Sequence, residues 1–383
     1  MSMDFRHERV DGNPPAGRMT NLHATDITGN GKPDIVVTAL GVNPRVTVPG
    51  IGELQLRYTS GVMRLIPYLE TNVFWYENAS WERHAVSTTR DLQIGVGSAT
   101  CEFGEDGRPG LVAGQGTGES DVYWFESGPD PREPWDRYTI TDAFQKYHDL
   151  AVADVDDDGE PELVGLSQES DTLFYCDVPA DPRRSPWPAE CLHVVDDDIH
   201  AEGLAVVDID GDGRTEIVAG PALYHRTDAG SWERETIATG WEYTRVAVGD
   251  LDGDGEHEVV LSEGDSPALG TRPGRVAVLD PPDWEPTFLR EGMYCPHSLQ
   301  VADFDGDGRL DVFVAEMGLF DNDDPAGLVF RNLDDGEFEE HVVSRGIPTH
   351  EAKTVDLTGD GSPDIVGKSY EPTAHVDVWY NET

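Results

Sequence analysis

A chain of 383 residues with 75 acidic against 27 basic side chains has a formal net charge of −48, and only Lys32, Lys146, Lys353 and Lys368 of its basic residues are lysines. A hydrophobic content of 38% with nine tryptophans excludes a disordered acidic tail and predicts a folded body with a substantial core. Such a charge disfavours nucleic acid as a partner and repels itself unless salt screens it, which points to the salt-rich cytosol of a halophile.

The opening stretch MSMDFRHERVDG has no apolar core and no twin-arginine pair, so no export signal is expected from it. No run approaches the roughly 20 apolar residues of a membrane span. Cys101, Cys176, Cys191 and Cys295 have no paired spacing and fit a reducing compartment. A cytoplasmic protein is expected, in which the glycosylation sequons at Asn78 and Asn381 are fortuitous.

The first predicted element is a short strand, FRHERV, from Phe5 to Val10. One unit then recurs along the whole chain. The first acid of each of its loops is Asp26, Glu102, Asp154, Asp208, Asp250, Asp303 or Asp356, at spacings of 76, 52, 54, 42, 53 and 53 residues. That period is near the length of a propeller blade. An alternating run such as LAVAD, LAVVD, VAVGD or LQVAD leads into the marker acid. A β-rich run follows it: DIVVTA, GLVAGQ, ELVGLS, EIVAGP, EVVLSE, DVFVAE and DIVGKS. Third strands are predicted at VFWYEN, VYWFES, LFYCDV, ALYHRT, RVAVLD, LVFRNL and VDVWYN. Period-two alternation, β-branched and aromatic side chains and Gly/Asp turns carry these assignments.

A fourth strand follows in six units, as WERHAVS, WDRYTI, ECLHVV, WERETIA, WEPTFL and FEEHVV, whereas the seventh stops at VDVWYNET. FRHERV is the missing copy. A strand left over at one end and absent at the other is what ring closure requires. The expected architecture is all-β: one seven-bladed propeller over residues 1–383, with four-stranded blades and the N-terminal strand completing the last.

The pattern D-x-D-G-D-G-x-x-[D/E] between two strands resembles the FG-GAP/VCBS repeats of integrin-type propellers, in all seven units. Hard cations take six to eight oxygens, and carboxylates at alternate loop positions can wrap one. Four loops are complete: Asp154, Asp156, Asp158 and Glu162; Asp208, Asp210, Asp212 and Glu216; Asp250, Asp252, Asp254 and Glu258; Asp303, Asp305, Asp307 and Asp311. They are expected to hold Ca²⁺ or Mg²⁺ in a structural role. Thr28 and Asn30 beside Asp26 and Asp34, and Thr358 beside Asp356, Asp360 and Asp364, make weaker loops that bond their own turns. EFGEDGRPG in the second unit has lost most donors. An EF-hand is excluded, because it needs flanking helices and a Glu at the twelfth loop position.

Six residues before the marker stand His148, His297 and His350, and eight before it stands His200. At about 3.3 Å per residue, six strand positions separate such an imidazole from its acid loop by about 20 Å, so the two ends belong to different faces. First strands line a propeller's channel, and four histidines are thus expected to ring one mouth. His23 lies only three before Asp26, at the other parity. Second strands return to that face with Gln115, Gln168, Glu263, Glu316 and Lys368 at their ends. The long insert of the first unit brings Arg45, Arg57 and Arg64, a candidate lid over an anionic or oxygen-rich ligand. Tyr147, Trp241, Tyr243 and Tyr294 stand beside the strand starts, where rings stack on sugars, and Cys295 lies two residues before His297.

The histidine spacing and the stretch HEAKTVDLTGDGSPDIVGKSY resemble the propeller of the aldos-2-ulose dehydratases, which are zinc-assisted sugar dehydratases with an additional cupin portion. More loosely they resemble propeller-type polysaccharide lyases. The resemblance implies metal-assisted β-elimination on a sugar ketone or uronic acid. A Zn²⁺-like ion on some of the four histidines polarises the carbonyl, and a remaining His or Tyr243 takes the proton. Glu263 or Glu316 serves the leaving oxygen, and Lys368 and Arg245 hold negative charge. The alternative is a non-catalytic module that binds glycan or protein on the same face.

Overall fold

Period-two runs bounded by Gly and Asp turns form seven four-stranded antiparallel sheets. The computed structural model describes residues 3–42, 45–48, 52–55, 72–87, 92–104, 107–319, 322–334, 336–371 and 373–383, with backbone only at 41, 42, 45–48, 52–55 and 334. The first strands of successive blades are Ala16–Thr25, Ile94–Cys101, Tyr147–Ala153, Leu204–Val207, Thr244–Gly249, Pro296–Ala302 and Glu351–Val355. Each packs against the first strand of the next blade, and that of blade seven packs against that of blade one, so the blades close a ring around these inner strands.

Closure follows the strand count. Phe5–Asp11 pairs antiparallel with Val376–Asn381, from Phe5 opposite Asn381 to Asp11 opposite Val376. It occupies the outer position of blade seven that fourth strands take elsewhere.

Apolar packing runs along the seams between blades. Seven buried clusters each join two neighbouring blades, as where Ile209, Val218 and Leu223 of blade four meet Val259, Leu261 and Leu279 of blade five. Second strands are therefore covered on both faces, and Gly110–Gln115, Glu162–Ser167, Glu258–Glu263 and Asp311–Glu316 are buried at every position. This is why they read as nearly continuous apolar runs. An asparagine near the end of the third strand ties three seams: Asn78 Nδ2 donates to Leu357 O at 3.1 Å, Asn332 Nδ2 to Leu251 O at 2.5 Å, and Asn381 Nδ2 to Phe304 O at 2.8 Å.

Candidate functional site

In the acid loops the last carboxylate accepts the backbone N–H just after the marker. Glu162 takes it from Val155 at 2.9 Å, Glu216 from Ile209 at 3.0 Å, Glu258 from Leu251 at 2.5 Å and Asp311 from Phe304 at 3.0 Å. The marker turns back on the loop glycines, as where Asp154, Asp208 and Asp303 accept from Gly159, Gly213 and Gly308 at 2.9–3.0 Å. These glycines have φ near +91°, a backbone region open to glycine and strained for other residues. Carboxylate oxygens of Asp154, Asp156 and Glu162, of Asp208, Asp210 and Asp212, of Asp250, Asp252 and Asp254, and of Asp303, Asp305 and Asp311 lie within 4.8 Å of one another. Asp154 Oδ1, Asp156 Oδ1, Asp208 Oδ1 and Glu258 Oε1 are buried without a hydrogen-bond partner. Crowded carboxylates with buried, unpartnered oxygens suit a hard divalent cation. In blades one and seven the marker is taken up by its own turn: Asp26 accepts from Asn30 and Gly31, and Asp356 from Gly359, Asp360 and Gly361.

At the other end the inner strands of three blades begin with a bulge. The pairing skips Thr20 between Met19 and Asn21, His148 between Tyr147 and Asp149, and His297 between Pro296 and Ser298. A bulge re-aims the skipped side chain. His148, His297 and His350 meet here on the wall of one cavity of about 280 Å³, with Glu202, Gln168, Lys146, Asp265 and Tyr370. The rings of His297 and His350 stack at 4.1 Å, His148 lies 6.3 Å from His297, and Tyr370 covers the far side of His350 at 4.8 Å.

Backbone carbonyls fix two of the tautomers. His148 Nδ1–H donates to Glu202 O at 3.0 Å and His297 Nδ1–H to His350 O at 2.8 Å, leaving both Nε2 atoms as acceptors. Lys368 donates to Met19 O at 2.6 Å and Thr20 O at 3.0 Å and bonds His350 Nδ1, and burial pulls its amine well below the usual lysine range. Burial, helped by Arg245, holds all three imidazoles neutral and pushes His297 down to about 3. Glu202 moves the other way, up to about 8, through burial and the nearby Asp265, while burial pushes Asp265 to about 6. Glu202 Oε1 lies 3.7 Å from His148 Nε2 and accepts from Gln168, and Glu202 Oε2 and Gln168 Oε1 have no partner.

Below the cavity a buried ion network fills the channel. Arg245 Nη2 sits 3.6 Å from Asp149 and 3.5 Å from Glu351, and Lys353 donates to Glu351 at 2.8 Å. Burial raises Glu351, but Lys353 and Arg245 outweigh it and hold the carboxyl well below the usual range. His23 bonds Ser98 at 2.9 Å, off the cavity wall.

Several expected site residues lie elsewhere. His200 is 61% exposed, bonds Asp171 at 2.9 Å and stands edge-on to Tyr243 at 6.3 Å, and neither residue lines the cavity. The inner strand of blade four starts only at Leu204, so Glu202, six before Asp208, takes the register position of the histidines. Glu263 is fully buried against Arg272 and Arg275. Glu316 accepts from Tyr294 N, Asn322 Nδ2 and Ala326 N at 2.7–3.0 Å. Both glutamates anchor connections behind the inner strands and do not line the cavity. Arg245 and Lys368 support the histidines from below. Tyr147 is buried with its hydroxyl on Ser120 O at 2.8 Å, and Trp241 stacks under Arg275. Cys295 is a buried thiol pushed up to about 12 by burial, and it does not line the cavity. Arg57 and Arg64 lie outside the described residues, and Arg45 begins the strand Arg45–Val48, paired with Gly52–Gln55. Among the described residues, the groups of three donors within 4.8 Å are all acid-loop carboxylates and Asp280, and none includes a histidine.

Glu202, Asp265, Lys146, Tyr370, Asp149 and Glu351 are the residues that sequence reasoning missed. Asp149, Arg245 and Glu351 share one signal, since all stand five before their marker, next to the six-before position.

Residues 208–261 and 296–367 match the family model of FG-GAP-like repeats. With seven four-stranded blades in a ring, the chain is a seven-bladed β-propeller carrying FG-GAP-like repeats. A search of curated proteins returned no match. Two solved chains similar in fold come from crystal structures of BBS1N in complex with ARL6DN. The mercury-soaked one is 12% identical with a TM-score of 0.53, and the lead-soaked one 13% identical with a TM-score of 0.54. Each match covers 98% of this chain and 96% of the other, and at that identity it speaks for the fold alone.

Proposed function

We propose that the protein is a carbon–oxygen lyase that performs β-elimination on a sugar ketone or uronic-acid-type carbohydrate in the histidine-lined cavity. The observation that carries this reading is the meeting of Glu202 and Asp265, pushed to about 8 and about 6, with three neutral imidazoles on one cavity wall. Two carboxyls with separated proton affinities provide an acid and a base together near neutral pH. Asp265 as carboxylate takes the proton next to the carbonyl carbon. Electrons from that C–H bond form the new double bond, the β C–O bond breaks, and protonated Glu202 donates to the departing oxygen. His350, in its Nε2–H tautomer, donates to the carbonyl oxygen as negative charge builds there. The open acceptors His148 Nε2, His297 Nε2 and Gln168 Oε1 suit a ligand rich in hydroxyls. The acid loops hold Ca²⁺ or Mg²⁺, which stiffens the opposite face and takes no part in the chemistry.

Incubation with a panel of keto-sugars and uronates tests this, read as ultraviolet absorbance of the conjugated product. Product that forms with the wild type and not with Glu202→Gln supports the reading. Binding of the same compounds without product from any of them would replace it with the glycan-binding alternative.

A further inference from the structure

We propose that the acid loop of blade five holds two divalent cations, the second bound by Asp252, Glu258 and Asp280 at the seam with blade six. The proposal rests on the reading of the acid loops as cation sites and extends it to a donor outside the loop.

Blade five divides its donors differently from the other blades. In blades three and six the last loop acid groups with the first two, as Asp154, Asp156 and Glu162 and as Asp303, Asp305 and Asp311. In blade five, Asp250, Asp252 and Asp254 form one group within 4.8 Å, and Asp252, Glu258 and Asp280 form another. Asp280 ends the strand Gly274–Asp280, and the pairing of Val259 with Leu279 sets it directly across from Glu258.

The same cross-strand position explains the contrast with blade six. There Val312 pairs with Phe330, which sets Arg331 across from Asp311. The Arg331 guanidinium bonds Asp305 and lies 3.4 Å from Asp307, so blade six carries its own countercharge. Blade five puts a carboxylate where blade six puts that guanidinium. Among the described residues, no Lys, Arg or His pairs with Asp250, Asp252, Asp254, Glu258 or Asp280. One divalent ion leaves three of these five negative charges unopposed, and two ions leave one.

A second observation points to a ligand. Glu258 is 3% exposed, and while its Oε2 accepts from Leu251 N, its Oε1 has no partner. The residue lines a cavity of about 400 Å³ between blades five and six, together with Asp252, Asp280, Thr287 and Arg309. An unpaired buried carboxylate oxygen is costly, and a cation there removes the cost. The cavity leaves room for waters to complete the six to eight oxygens of a Ca²⁺ shell.

Crystals of the full chain soaked in Mn²⁺ provide the test. Two anomalous peaks at blade five are expected, one among Asp250, Asp252 and Asp254 and one touching Asp280. Asp280→Asn should remove the outer peak, keep the inner one, and lower bound Ca²⁺ by one ion per chain in equilibrium dialysis. Asp280 is exposed at a strand end, so the variant retains the fold, which circular dichroism verifies. Asp280→Arg, which copies blade six, should lose the outer ion and melt higher than wild type in chelator. A single peak inside the loop overturns the second site and leaves the loop reading standing. Absence of a peak in every acid loop overturns both.

Discussion

At the acid-loop end of the inner strands the blades copy one another. The last carboxylate accepts the same backbone N–H in blades one, three, four, five, six and seven. At the other end the position six before the marker carries Thr20, Val96, His148, Glu202, Thr244, His297 and His350. A ring forces these equivalent positions to face a common space. Where all agree they serve the fold. Where they differ they make an asymmetric cavity able to orient a ligand, with histidines and Glu202 on one side and Thr20 and Val96 on the other.

The largest expected effect is on chemistry at the varied end. Glu202→Gln should lower turnover by about 10²–10⁴-fold with the melting midpoint nearly kept. Glu263→Gln, in a structural position, should shift the midpoint and spare turnover, and the reverse pattern would erase the distinction between the ends. Next is Arg245→Met, which leaves Asp149 and Glu351 buried without their shared cation; urea unfolding should show a loss of about 3–5 kcal/mol. Chelation acts on the copied end, and removing cations held at about 100 times their Kd should cost about 2.7 kcal/mol for each site, measured as a lower melting midpoint. Asn381→Ala, which cuts one tie between blades six and seven, should cost about 1 kcal/mol.

A pH profile sharpens the same comparison. Asp265 must be ionised and Glu202 protonated, so kcat/KM should rise through about 6 and fall through about 8. Both carboxyls lie above their unfolded values. The stability they contribute is thus greatest below the unfolded pKa near 4 and is lost as pH rises through about 6 and about 8. Activity and stability should therefore diverge between pH 4 and 7.

Much of the fold was legible because ring repetition multiplies each signal: FRHERV announced the closing strand, and the fourth strands appeared at WERETIA and FEEHVV as expected. The site was legible only in part. Counting six back finds His148, His297 and His350, and the same count finds Glu202, which a search for histidines passes over in favour of His200. Asp265 and Tyr370 come from connections whose path depends on packing rather than register, and no periodicity points to them. Glu263 and Glu316 end second strands on the expected face, but their arginine and backbone partners come from loops whose return a linear reading does not show.

The blade that seals the ring draws on one strand from before blade one and three from after blade six. Phe5–Asp11 has no edge to join until Val376–Asn381 has been made, so a strand that precedes blade one waits for one that follows blade six. Until then the sheet edge of blade seven and the apolar seam beside it stay open to solvent and to other chains. Closure of the disc is thereby deferred until the third strand of blade seven has been made, and deleting either strand unlatches it.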